Sequence, residues 1–131
     1  MKPKIKTALC YLLAAFFIYA GIMHFVADDM FARIVPPRLP IPYVIVWVTG
    51  LIEIVLAIGL LCPHFRKNAG ILFAPYLLAV LPANIYMAVA GLPLGEHIAS
   101  PTALWIRVAL QFPLIALILW AAGVFERKPK R

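Results

Sequence analysis

Four long apolar runs, residues 7–26, 43–62, 69–91 and 102–122, constrain this chain more than any motif in it. At about 1.5 Å of rise per residue, about 20 residues of helix cross the roughly 30 Å of hydrocarbon in a bilayer. Backbone groups in lipid find no water to bond, so a spanning segment must be helical or belong to a closed barrel. Barrel strands are about ten residues long and alternate in polarity, which these runs do not. Composition points the same way: 65% of the 131 residues are apolar and 13% are charged. Soluble domains are closer to half apolar, and a chain this short has too little interior to hide the excess from water. The expected fold class is all-α, an integral membrane four-helix bundle forming a single domain over residues 1–131.

The intervals carry the helix breakers. Asp28-Asp29, Pro36-Pro37, Pro40 and Pro42 fall in the first, residues 63–68 form the second, and residues 92–101 the third. Residues 28–35 begin with two acids and continue with Met30, Phe31 and Ile34, which predicts a short interfacial helix ended by Pro36-Pro37. Together with the following stretch to Pro42 it would cap one mouth of the bundle. Pro75, Pro82 and Pro113 lie inside the third and fourth runs, where each removes a backbone hydrogen bond and favours a kink. Such kinks open a cavity or serve packing.

Charge sets the orientation. Lys2, Lys4, Lys6, Arg66, Lys67, Arg127, Lys128, Lys130 and Arg131 fall on one side, nine basic residues against Arg33 and Arg38 on the other. The positive-inside rule then places both termini in the cytoplasm, in a multi-pass protein of the cell (inner) membrane. The formal net charge of +7 is thus a topology signal and an attraction to anionic lipid, and no nucleic-acid partner is implied. Tyr43, Trp47 and Trp105 fall near the outer interface, Tyr11 and Trp120 near the inner one, as aromatic belts require. The first run follows lysines as a signal peptide would. It stays apolar throughout and offers no small-x-small site before a polar start, so it reads as an uncleaved anchor.

The polar residues within the spans are His24, Glu53, Asn84, Arg107 and Gln111. On the expected topology Glu53 lies near the midplane and the others lie farther out. Helical spacing gives each a stripe: Cys10, Ala14, Phe17, Gly21 and His24; Gly50, Glu53 and Ala57; Leu77, Leu81, Asn84, Ala88 and Gly91; Arg107, Gln111 and Leu114. Small residues in three of these stripes allow close helix approach, so the polar groups are expected to face one another inside the bundle. An ionised Glu53 alone at mid-depth costs about 2.5 kcal/mol or more, which calls for a bound proton or a nearby cation. Arg107, the one cation within a span, is the expected partner.

Each group also has a plainer reading. Arg107 can snorkel to headgroups, a protonated Glu53 can be helix-helix glue, and Asn84 and Gln111 can be interhelical hydrogen bonds. Cys10 and Cys62 read as two buried thiols near the cytoplasmic helix ends. His24, His64 and His97 fall on different segments, so no metal spacing occurs. Phosphate loops, nucleophile elbows and His-Glu-x-x-His are absent too, and the sequence carries no cofactor-attachment motif.

Four ordered blocks carry a resemblance: Ala20-Gly21-Ile22-Met23-His24-Phe25, Ile34-Val35-Pro36-Pro37-Arg38-Leu39-Pro40, Thr49-Gly50-Leu51-Ile52-Glu53 and Pro82-Ala83-Asn84-Ile85-Tyr86-Met87-Ala88. Through them the chain resembles the small DoxX-like proteins of the DoxX family over its first three spans. The resemblance implies a four-helix membrane protein. The family takes its name from a subunit associated with thiosulfate:quinone oxidoreductase and is similar to proteins that mature periplasmic redox enzymes. Arg107 and Gln111 lie outside these blocks.

Two classes of function follow. In the first, the chain is a redox-associated subunit or accessory protein holding a quinone or similar lipophilic molecule. Glu53 and His24 exchange protons there, and Arg107, Asn84 and Gln111 hold ligand oxygens. Any redox centre would be borrowed from a membrane or periplasmic redox protein. In the second, the chain is a non-catalytic scaffold or assembly factor. A proton-coupled transporter ranks third, since four spans without a clear repeat would need a homo-oligomer. The orientation is tested directly: a reporter that is active only outside the cell, fused after Arg131, is expected to be silent, and activity there would overturn the topology.

Overall fold

The computed structural model describes residues 3–93 and 100–127. Lys2, His97, Lys128, Lys130, Arg131 and most of the third interval lie outside the described residues. The described chain is all-helical: α1 (Pro3–Val26), α2 (Asp28–Ala32), α3 (Pro42–Leu61), α4 (Arg66–Ala90) and α5 (Pro101–Ala121). Four of these, α1, α3, α4 and α5, are long and apolar enough to cross a membrane, and they overlie the four apolar runs.

Helix ends follow local chemistry. The α5 helix starts with Pro101 in its first turn, where a missing N–H is harmless, and Ser100 Oγ accepts the Ala103 N–H at 3.2 Å. Gly91 ends α4 in the left-handed region at φ 64°, and the Leu92 N–H returns to the Met87 carbonyl at 3.1 Å. Pro75 and Pro82 sit within α4 and Pro113 within α5. Each withdraws one amide proton from the helix ladder, so Pro82 leaves the Leu78 carbonyl without its usual donor.

The long helices neighbour one another in the order α1, α3, α4, α5, with α1 against α3 the most extensive contact and α1 against α5 the least. Gly21 and Gly50 set the first of these. A Cβ on Gly21 would lie 2.9 Å from the Gly50 carbonyl oxygen, and one on Gly50 would lie 2.6 Å from His24 Cβ. Only glycine permits that approach, the means by which membrane helices gain dispersion contact without a hydrophobic driving force.

The bundle is solid at one end and hollow at the other. Cys10, Ala14, Phe17, Leu60, Phe73 and Ile118 belong to the buried core at the end holding the start of α1 and the finish of α5. Phe17 and Phe73 meet across it at 4.7 Å between ring centroids. There Cys10 Sγ donates to the Ala121 carbonyl at 3.2 Å, and Lys6 Nζ lies 2.6 Å from Glu126 and over the Trp120 ring. Neither cysteine is bonded to the other, and Cys62 is half-buried, less enclosed than expected because it caps α3.

The α2 segment covers the hollow end. Its helix is shorter than the expected 28–35, stopping at Ala32. Beyond Ala32 the chain tightens into i→i+3 turns, Ile34 N–H to the Phe31 carbonyl at 3.2 Å and Val35 N–H to the Ala32 carbonyl at 3.3 Å, before Pro36-Pro37 end the run. Tyr43 OH donates to Asp29, and Trp47 Nε1 donates to Asp28 at 3.2 Å, tying α2 to the start of α3. Ile41, between two prolines at that junction, holds φ 50°, a left-handed conformation rare for a β-branched residue.

Two outcomes are expected. Gly21→Ala or Gly50→Ala should destabilise the bundle by about 1–3 kcal/mol, because backbone and His24 must move aside. Unchanged thermal unfolding in detergent would contradict the close approach. Replacing both Tyr43 and Trp47 by Phe removes the two donors that hold α2, and should speed proteolysis within residues 33–41 without lowering helix content by circular dichroism.

Candidate functional site

The hollow end holds a cavity of about 700 Å³, partly open to the surroundings and lined by all four long helices and by the α2 segment. Its wall is mainly apolar and aromatic, including Phe16, Phe17, Phe31 and Leu114, with His24, Glu53, Tyr76, Asn84, Arg107 and Gln111 among them. That volume and that mixture, a greasy wall with a few convergent polar groups, is the range of small-molecule sites. Phe16 of α1 and Leu110 and Leu117 of α5 line the cavity and are also exposed on the bundle's outside. Between α1 and α5 only apolar side chains separate the cavity from the surroundings at that level.

The first polar group joins three helices. Glu53 is 5% exposed, and its Oε2 accepts the Tyr76 hydroxyl at 2.8 Å. His24 Nε2 lies 3.8 Å from the same oxygen, too far for a hydrogen bond. The other ring nitrogen, Nδ1, meets the Ala20 carbonyl at 2.8 Å. A carbonyl only accepts, so Nδ1 carries a proton; the neutral ring then turns its Nε2 lone pair toward Glu53, and the protonated ring an N–H. Phe31 of α2 stacks on the imidazole, 4.1 Å between centroids and 20° between planes, so the covering segment and the site share a surface. Among the described residues no buried polar atom lacks a partner. Glu53 Oε1 takes part in no hydrogen bond and therefore meets the open cavity.

The second group joins α4 to α5. Asn84 Nδ2 donates to Gln111 Oε1 at 2.7 Å, and Gln111 Nε2 donates to the Leu77 carbonyl. Gln111 is 5% exposed, and the amide chain satisfies it beside the Leu78 carbonyl that Pro82 deprives of a donor. Arg107 lines the cavity nearer α2, and its guanidinium Nη1 approaches Met87 Sδ at 3.1 Å.

The five polar residues singled out in the sequence thus share one cavity wall, but not as one cluster. The expected Glu53–Arg107 ion pair is absent among the described residues: Lys6 pairs with Glu126, and the basic side chain within 4 Å of Glu53 is His24, at 3.8 Å. Depth explains this. Arg107 lies fourteen residues from the end of α5 and Glu53 eight from the end of α3, a difference of about 9 Å along the axis. Tyr76, which takes the place expected of Arg107, escaped sequence reasoning. It lies ten residues into α4, within about 3 Å of the depth of Glu53, and that match of a phenol to a carboxylate was the available signal. Phe31 escaped as well, because nothing in the sequence sets a ring of the short α2 on His24.

Arranged this way, the site can hold a lipophilic molecule with a polar head, and it can take up or release a proton between His24 and Glu53. No curated protein and no solved structure matches the chain. A family match does extend over residues 13–124, from within α1 to just past α5, and it takes in every residue of the cavity wall: the chain belongs to the family described as Domain of unknown function (DUF8561).

Proposed function

We propose that this chain is a multi-pass protein of the cell (inner) membrane, with both termini cytoplasmic, that holds a quinone-like lipophilic molecule as a redox-associated subunit or accessory protein. The observation that carries the reading is the cavity of about 700 Å³ with aromatic side chains, Glu53, His24 and Tyr76 on its wall and apolar Phe16, Leu110 and Leu117 along α1 and α5. A ring head enters polar surroundings there while its tail stays among apolar side chains. Reduction of a quinone takes up two electrons and two protons. Electrons would come from a membrane or periplasmic redox partner, and protons through the His24–Glu53 pair. Asn84, Gln111 and Arg107 then orient the head's oxygens. The resemblance to DoxX-like proteins through the blocks holding His24, Glu53 and Asn84 supports the same class.

One observation favours a scaffold instead. The Asn84–Gln111–Leu77 chain is satisfied within the bundle, as interhelical glue would be. Ala83, on the cavity wall, separates the readings. Ala83→Phe should obstruct part of the cavity and leave the fold intact. Mass spectrometry of organic extracts from protein purified in mild detergent should find a quinone-type lipid retained by the wild type and lost from the variant. An extract holding only bulk phospholipid in both, with partner proteins still copurifying, would sink the ligand reading and favour the scaffold.

A further inference from the structure

We propose that the His24–Glu53 side of the cavity recognises its ligand by an O–H group, so that the site takes a hydroxy-arene head, the hydroquinone form in preference to the quinone. The inference rests on the ligand reading above and adds to it which redox form is bound.

It follows from a count of donors and acceptors. The His24 Nδ1 proton is committed to the Ala20 carbonyl at 2.8 Å, and the Tyr76 hydroxyl proton lies between Glu53 Oε2 at 2.8 Å and the Thr49 carbonyl at 3.2 Å. What faces the cavity is the lone pair of His24 Nε2, 3.8 Å from Oε2 and bonded to nothing, and the free Oε1 of Glu53. With His24 neutral and Glu53 ionised, the ordinary states of an imidazole and a carboxyl group near pH 8, both accept, and the protons beside them are already committed. A quinone carbonyl would set its lone pairs against theirs. A phenolic O–H donates to either and fills the gap between them. The other donors on the wall, Asn84 and Arg107, come from α4 and α5. Phe17 and Tyr76 line the same space with flat faces for such a ring.

The probes are a decyl-substituted benzoquinone, its hydroquinone, and the dimethyl ether of that hydroquinone. Each is titrated calorimetrically against the whole protein in nanodiscs at about pH 8, where an ordinary imidazole is neutral. The hydroquinone should bind at least about ten-fold tighter than either of the others, because a site built to bond an O–H rejects analogues without one. Glu53→Gln turns an acceptor facing the cavity into an amide that also donates, and should reduce the ratio of hydroquinone to quinone affinity to about one or below. If that variant does not fold, the dimethyl ether decides the matter on the wild-type protein. Quinone or ether binding as tightly as the hydroquinone overturns this inference and leaves the ligand reading standing. No binding by any of the three overturns both.

Discussion

The contact between Gly21 and Gly50 is the element on which the rest of this bundle depends. Because neither carries a Cβ, the α1 and α3 backbones approach until Gly50 lies against His24 Cβ. Glu53, one turn further along α3, is thereby brought within 3.8 Å of the His24 ring. Any side chain at either glycine would move the two helices apart and separate acid from base. The same contact fixes where α2 must turn back, since Phe31 reaches the imidazole only if α1 and α3 are this close. Helix packing and site geometry are thus one constraint met twice.

A cavity in a helix bundle is unfavourable where water or nothing fills it, and the distribution of residues limits that penalty. The solid core at the other end, with Phe73, Leu60 and Ile118 almost fully buried, provides the packing that lets the α2 end remain open. Within the hollow half each buried polar atom has a partner: Glu53 with Tyr76, Asn84 with Gln111, Gln111 with the Leu77 carbonyl. These bonds cross between helices, so the groups that make the cavity polar also brace its walls. The scaffold and ligand readings share that bracing and differ in whether the remaining acceptors are used.

Much of this was legible in the sequence, for a physical reason. Hydrocarbon permits so few backbone solutions that run length alone located α1, α3, α4 and α5 to within a few residues, and the 3.6 period put Cys10, Ala14, Phe17, Glu53, Ala57 and Leu77 on inward faces. Pairing was less legible. Charge suggested Arg107 for Glu53, but charge carries no information about rotation and depth beyond a residue count, and Tyr76 has no formal charge to draw attention. The end of α2 depended on where the backbone tightens into turns ahead of Pro36-Pro37, which periodicity does not report. The stack of Phe31 on His24 depends on where α2 lies after its turn, a tertiary fact with no local signature.

The two ways into the cavity differ in what must be broken. At the α2 end, opening requires Phe31 to leave His24, and Asp28 and Asp29 to give up Trp47 and Tyr43. Ile41, held at φ 50° between prolines, leaves the hinge there little freedom to swing. At the far end Cys10 of α1 donates to the Ala121 carbonyl of α5, and Lys6 meets Glu126 just beyond it. Alongside the cavity, Phe16, Leu110 and Leu117 have no hydrogen bonds to lose, and rotamer changes suffice to move them. Side chains of that kind exchange lipid for another apolar molecule at little free-energy difference. On the ligand reading, a lipophilic molecule would therefore meet the smaller barrier between α1 and α5, and water the larger one at the braced end. That asymmetry would leave His24 and Glu53 available to a molecule arriving from a bilayer.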